Sequence, residues 1–261
     1  MCANPVSITK APSNKAMTNA ERDLRVDLAA CYRLVAHFDM DDLFATHISA
    51  RVPGKDEHFL INPYGVLFSQ ITASSLVKVD LDANILQDTE YDINPAGFVI
   101  HSAIHAARPD VACIIHTHTI AGMAVASQQD GLLPICQKAL KFMNRTAYHD
   151  FEGKAQDLDE RQRLVRDLGD KNHLILRNHG LLVCGPTISW AFKRIYGLEK
   201  SCKTQLAAQA SGAALVMLSD DLVEFTAKQF DRDDAPGTSG RPDGWDSLLA
   251  LMDSIDPSYR D

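Results

Sequence analysis

The chain has 261 residues, is 46% hydrophobic and carries a formal charge of -8, which suits one well-buried domain with extensions and offers no continuous basic surface for nucleic acid. No apolar run approaches the ~20 residues needed to cross a bilayer. The opening "MCANPVSITKAPSNKAMTNA" lacks the apolar core and small-residue cleavage site of a signal peptide, so a cytoplasmic protein without a membrane partner is expected.

Residues 1–17, rich in Pro, Ser, Asn and Lys, read as a flexible N-terminal arm. Thr18 followed by Glu21 fits a capping box, and Leu24, Leu28, Cys31, Leu34 and Val35 recur at helical spacing, which predicts an amphipathic helix over about 19–38. From 43 to 81 the runs "FATHISARV", "HFLINPYG" and "SSLVKVDL" read as meander strands. "AGFVIHSAIHAARPD" (96–110) returns to a helix stopped at Pro109, and "VACIIHTHT" (111–119) is a β-branched strand.

"LDERQRLVRDLGD" predicts a helix within 150–170, "HLILRNHG" (173–180) and "GLLVCG" two more strands, and residues 187–212 a long helix. These elements assign 18–230 to one domain, a sheet covered by helices. Residues 231–261 hold a Pro- and Gly-rich linker near 235–244 and a short helix over 245–254, which either docks on another surface or belongs to a loose tail. The six cysteines, Cys2, Cys31, Cys113, Cys136, Cys184 and Cys202, form no CxxC pair and read as reduced thiols packed as small hydrophobes.

His116 and His118 stand at i and i+2 of a strand, so both side chains project to one side. A third histidine, His179, closes the strand "LILRN", and Gly180 would let the chain turn sharply just after it. Three neutral imidazoles at two strand ends suit Zn2+, Mn2+ or Fe2+ with positions left open for substrate. Spacing by itself also fits polar residues where strands leave a core. His101 and His105 share a helix face and are read as packing residues rather than a second metal site, and Arg177 as a surface ion pair.

The combination "NPAGFVIHSAIHAARPDV", "IIHTHT" and "LILRNHGLLVCG" resembles the class II aldolase and adducin family over about residues 20–225. The resemblance implies an α/β fold, a three-layer α/β/α sandwich around a mainly antiparallel central sheet. It also implies a homotetramer with sites at subunit interfaces, and His116, His118 and His179 as ligands of a divalent metal, Zn2+ first and Mn2+ or Fe2+ as alternatives. In the sugar-phosphate aldolases of the family such a metal is a Lewis acid that stabilises the enediolate left by C–C cleavage.

The chain departs from those aldolases at several positions. Gly97 stands where they carry a catalytic glutamate, Pro95 and Ala96 where they carry a phosphate-binding serine pair, and Tyr64–Gly65 where they carry a Thr-Gly turn. "NPAGFVIHSAIHAARPDV" is closer to the adducin branch, whose cytoskeletal members are not enzymes. The expectation is a metal-dependent lyase of decarboxylase or aldolase type, acting on a small nonphosphorylated hydroxy, oxo or aromatic acid through a metal-stabilised enolate. A non-catalytic adducin-like module and a non-haem iron oxygenase are the alternatives. By the same resemblance Tyr148 matches a proton donor supplied to a neighbouring subunit, and His47 replaces a substrate-binding asparagine, so both are candidate catalytic residues.

Overall fold

The computed structural model describes residues 7–11, 17–55, 57–153, 158–233 and 244–261. In chain order the elements are β1 (Thr9–Lys10), α1 (Asn19–His37), β2 (His47–Arg51), β3 (His58–Ile61), β4 (Val77–Asp80), β5 (Asn84–Ile85), α2 (Pro95–Ala107) and β6 (Cys113–Thr117). There follow α3 (Ile120–Ala126), α4 (Gln137–Leu140), β7 (Thr146–His149), α5 (Leu158–Leu168), β8 (His173–Leu176), β9 (Gly180–Gly185), α6 (Ile188–Ala210), α7 (Asp220–Asp233) and α8 (Trp245–Ile255). The strands join one sheet in the order β1-β5-β4-β3-β2-β6-β9-β8-β7. Only its marginal pairs, β1 with β5 and β7 with β8, are parallel. The expected α/β class with a mainly antiparallel sheet is what the chain adopts.

Strand alternation divides the core into two faces. Ile48, Ile115 and Val183 join Leu28, Ile195 and Leu198 on the side covered by α1 and α6. Ile114, Leu174 and Leu182 join Ile100, Ile104 and Leu164 on the side covered by α2 and α5. Every even-numbered position of β6, His116 included, therefore faces α2.

Local chemistry explains the helix ends. Thr18 caps α1 by accepting from the Glu21 N–H at 3.1 Å, but the Glu21 carboxylate turns away from a full capping box to pair with Arg25 and Lys78. Asn94 caps α2 by accepting from the Ala96 N–H at 3.0 Å, with Pro95 in the first turn. That helix ends at Ala107 with Arg108 as its cap, as a stop at Pro109 requires, because proline bars its preceding neighbour from helical geometry.

Described parts of the arm and tail take regular structure. Thr9–Lys10 add an edge strand beside β5, while residues 1–6 and 12–16 of the expected arm lie outside the described residues. The helix expected at 245–254 docks on its own chain: Trp245 is buried and donates to Asp27, and Arg33 of α1 pairs with Asp256 at 2.7 Å. Most of the expected 235–244 linker lies outside the described residues. The described cysteines are all free, as expected of reduced thiols.

Candidate metal centre

The register of the sheet brings the chemistry together. In the antiparallel pair of β2 and β6, His47 sits directly opposite His116. His118 lies just past the end of β6, shortened to Cys113–Thr117, yet its Nε2 comes 2.8 Å from Nε2 of His116 and 2.9 Å from Nε2 of His179. The ligand-type atoms of the three histidines all lie within 4.8 Å of one another.

His179 reaches this place differently from expectation. The left-handed residue of the β8–β9 turn is Asn178 (φ 55), before the histidine, while Gly180 already begins β9. Gly180 is needed for space: a Cβ there would collide with the Thr117 carbonyl oxygen and lie 3.1 Å from the His118 ring. The glycine of "NHG" lets β9 close onto the imidazoles rather than turning the chain.

Hydrogen bonds to the far nitrogens settle the protonation of two of the rings. Nδ1 of His116 is 2.9 Å from the Leu181 carbonyl oxygen, which can only accept, so this nitrogen donates. Nδ1 of His118 is 3.2 Å from a carboxylate oxygen of Asp42 and donates likewise. In the neutral rings Nε2 of both residues is then a bare lone pair, and the two lone pairs face each other at 2.8 Å. Such an approach is repulsive unless a cation lies among the nitrogens.

A proton is disfavoured in that role. Burial holds His116 well below the usual imidazole range, assisted by the neighbouring His118, and lowers His179 to about 4. Burial also lowers His118, although the Asp42 carboxylate opposes it. Neutral imidazoles with Nε2 free and Nδ1 held by a carbonyl or carboxylate are the donor set a divalent transition metal requires. The three residues fit the metal that the motifs imply.

Other expected residues fall on both sides of the sheet. His47 is buried, with its ring centroid 5.0 Å from that of His116. Its Nδ1 meets Nε2 of His101 at 2.8 Å, and His101 and His105 are both tied to Ser49, so this pair of α2 is a hydrogen-bonded packing element. Tyr148 packs with the α1 and α6 side, and its hydroxyl accepts from the Leu132 N–H at 3.1 Å. Within its own chain it stands apart from the three histidines. Arg177, expected in a surface ion pair, instead lies 4.3 Å over the Tyr148 ring and donates to the Gln128 carbonyl.

Sequence reasoning missed Asp42 and Ser49. Asp42 belongs to the acidic run "DMDD" five residues before His47, and the β2–β6 pairing is what carries it to His118. Ser49 alternates with His47 on the same strand face, a signal that strand periodicity could have supplied.

The family model described as the Class II Aldolase and Adducin N-terminal domain matches residues 26–206. The crystal structure of an aldolase II superfamily protein from Pseudomonas syringae superposes with a TM-score of 0.88 at 49% identity, covering 94% of this chain and 98% of that one. An L-fuculose 1-phosphate aldolase from Glaciozyma antarctica PI12 gives a TM-score of 0.78 at 29% identity, covering 96% of this chain and 97% of that one. Alpha-adducin of Rattus norvegicus is 40% identical over 269 residues, which take in 96% of this chain but 36% of that protein. With the family model matching residues 26–206, more than half of the chain, and relatives of this closeness, the chain belongs to the class II aldolase and adducin family.

Proposed function

We propose that this chain is a divalent-metal-dependent carbon–carbon lyase, of decarboxylase or aldolase type, for a small nonphosphorylated hydroxy, oxo or aromatic acid. The observation that carries the proposal is the convergence of three imidazole Nε2 atoms, two of them deprotonated by the partners of their Nδ1 atoms. A dication held by His116, His118 and His179 would supply Lewis-acid stabilisation of the negative charge that bond cleavage pushes onto a substrate oxygen. We assign Zn2+ because a three-imidazole set with an open position is one of its catalytic environments; Mn2+ and Fe2+ accept the same donors.

The nonphosphorylated substrate is supported by the start of α2. Pro95 has no N–H to offer an anion, and the Ala96 N–H is already taken by the Asn94 side chain. His47 is the group proposed to handle the proton in place of the missing glutamate at position 97. Its ring stays neutral, because burial and then the neighbouring His101 hold it well below the usual range. Exposed apolar side chains close to the centre in sequence, Leu43, Ile120 and Met123, suit a subunit contact there, and with it a homo-oligomer of the tetrameric kind. Tyr148 would then serve a neighbouring subunit's site.

A non-catalytic interaction module is favoured by one finding, the 40% identity with alpha-adducin. Metal analysis of the purified protein and of His116→Ala separates the readings. A stoichiometric metal lost in the variant supports the metal centre, and metal-free native protein refutes it. Incubation with hydroxy, oxo and aromatic acids then releases CO2 for a decarboxylase or an aldehyde for an aldolase, whereas consumption of O2 marks an iron oxygenase instead.

A further inference from the structure

The layer of the core covered by α6 holds a cavity of about 580 Å³ that shares no lining residue with the metal centre. It opens between α4, α6, α7 and α8, and its floor is aromatic. The ring centroid of Phe38 lies 5.1 Å from that of Tyr196 and 6.1 Å from that of Phe192, and Phe192 stacks on Tyr196 at 6.1 Å. Phe142 and Phe192 belong to the face of the sheet opposite the one on which His116 meets α2.

The rim is basic. Lys138, Lys141 and Lys193 line the cavity, and among the described residues no acidic side chain does. This local excess of positive charge runs against the formal charge of -8 on the whole chain. Other lysines of α6 and α7 have carboxylate partners, Lys203 with Glu199 and Lys228 with Glu224. Lys138 and Lys193 instead lie over rings: Nζ of Lys138 is 5.8 Å from the centroid of Tyr196, and Nζ of Lys193 is 5.2 Å from that of Trp190. Lys200 joins Lys138 at Tyr196, at 5.4 Å, and Lys141 joins Lys193 at Trp190, at 5.7 Å. Four ammonium groups gathered around two rings repel one another, and an anion seated among them relieves that repulsion.

Gly197 of α6 keeps the wall open. Glycine in the middle of a helix is disfavoured relative to alanine, so its presence asks for a local reason. A Cβ there would lie 3.2 Å from Cζ of Phe142, another ring of the lining. Any larger side chain would press into that ring and into the cavity beside it.

We infer that this cavity is a second binding site, for a small aromatic carboxylate whose ring lies on the Phe38, Phe192 and Tyr196 floor and whose charge is met by the rim lysines. Its volume is that of a small-molecule site. Rings on the floor favour an aromatic body through offset and edge contacts. Polar groups confined to one rim, with no arginine among them, suit a single anionic head rather than a ligand charged along its length. The site stands independently of the metal-dependent reaction proposed above, and its occupant would act as an effector rather than be transformed there.

The test is calorimetric titration of the full-length protein with β-naphthoate in the presence of chelator, so that a bound metal cannot take the carboxylate. One saturable site is expected, weakening as salt is raised. The double variant Lys138→Gln/Lys193→Gln should lose at least about tenfold in affinity. Both lysines are exposed, so this variant should fold as the native chain does. His116→Ala should bind as tightly as the native protein. Acetate, which has the charge without the ring, and β-naphthylmethanol, which has the ring without the charge, should each bind at least about tenfold more weakly than β-naphthoate. Absence of binding overturns the inference, as does unchanged affinity in the double variant or equal binding of the neutral alcohol. Loss of binding in His116→Ala would place the ligand at the histidine cluster and overturn it as well. So would a double variant that loses binding together with a change in oligomeric mass by light scattering, which would assign this face to a contact between copies of the chain.

Discussion

His47 occupies the space that a side chain at position 97 would need: a Cβ built on Gly97 would lie 2.7 Å from Cγ and 2.9 Å from Nε2 of the imidazole. The two positions exclude one another, so the glycine and the histidine form one unit. Gly97→Ala is expected to destabilise the protein by about 1–3 kcal/mol through overpacking. Gly97→Glu should cost more, and His47→Asn should recover part of that loss. Denaturant melts of the two single variants and the double variant check this as a double-mutant cycle, and additive effects would sink the claim of mutual exclusion.

Asp42 touches the centre only through His118, and its carboxylate is half-exposed. Removing it leaves no buried group unpaired, so Asp42→Ala should leave the unfolding midpoint of the metal-free protein within about 0.5 kcal/mol of native. Metal affinity should nevertheless fall by about 10–100-fold, because the orientation and basicity of the ligand are lost. Competition titration with a chromophoric chelator measures it. Unchanged affinity would mean that His118 needs no orienting partner.

Binding of metal to the folded chain alone must stabilise it. At a free metal concentration of about 100 times Kd the gain is roughly 2.7 kcal/mol, visible as a rise in Tm that chelator reverses. In His116→Ala the same addition should leave Tm where it is. An equal rise in both proteins would place the ion elsewhere.

Acid should unfold the metal-free protein through its buried neutral imidazoles. Burial lowers His105 and His173 to about 3, whereas the unfolded chain protonates them near the ordinary value of about 6.5. Between those values the unfolded state binds more protons. Stability is therefore full above about 6.5, falls as the pH drops toward about 3, and levels off below. Each such imidazole contributes at most about 1.4 kcal/mol per pH unit across that window. Chemical denaturation at a series of pH values checks the slope, and a flat profile between neutral pH and about 4 would contradict it.

Much of the centre was legible because it is written in short-range patterns. The HxH spacing and the "NHG" turn pointed to the three histidines that cluster, and the periodicities of α1 and α6 placed the helices against the sheet. What escaped depends on partners distant in sequence. β5 has only two residues, too few for alternation to show, and β7 sits in the polar run "TAYHDFEG" without an apolar alternation of its own; pairing with β4 and β8 defines them as strands. The exclusion between His47 and Gly97, 50 positions apart by their numbering, exists only once α2 lies on β2. Asp42 likewise acquires a role only through the pairing of β2 with β6. The turn at Asn178 was misassigned to Gly180 because glycine is the usual left-handed residue, whereas here it answers a steric demand.

The polar line between β2 and α2 also bears on how the chain finds its fold. A slip of β2 by one residue would turn Ile48 and Ala50 toward His101 and His105, and would press His47 and Ser49 into the apolar layer formed with α1. Four buried polar groups would lose their partners at once, whereas an all-apolar face would tolerate the slip at far smaller cost. These four buried groups thus act as a key for strand register, admitting one pairing of β2 with β6 and penalising its neighbours.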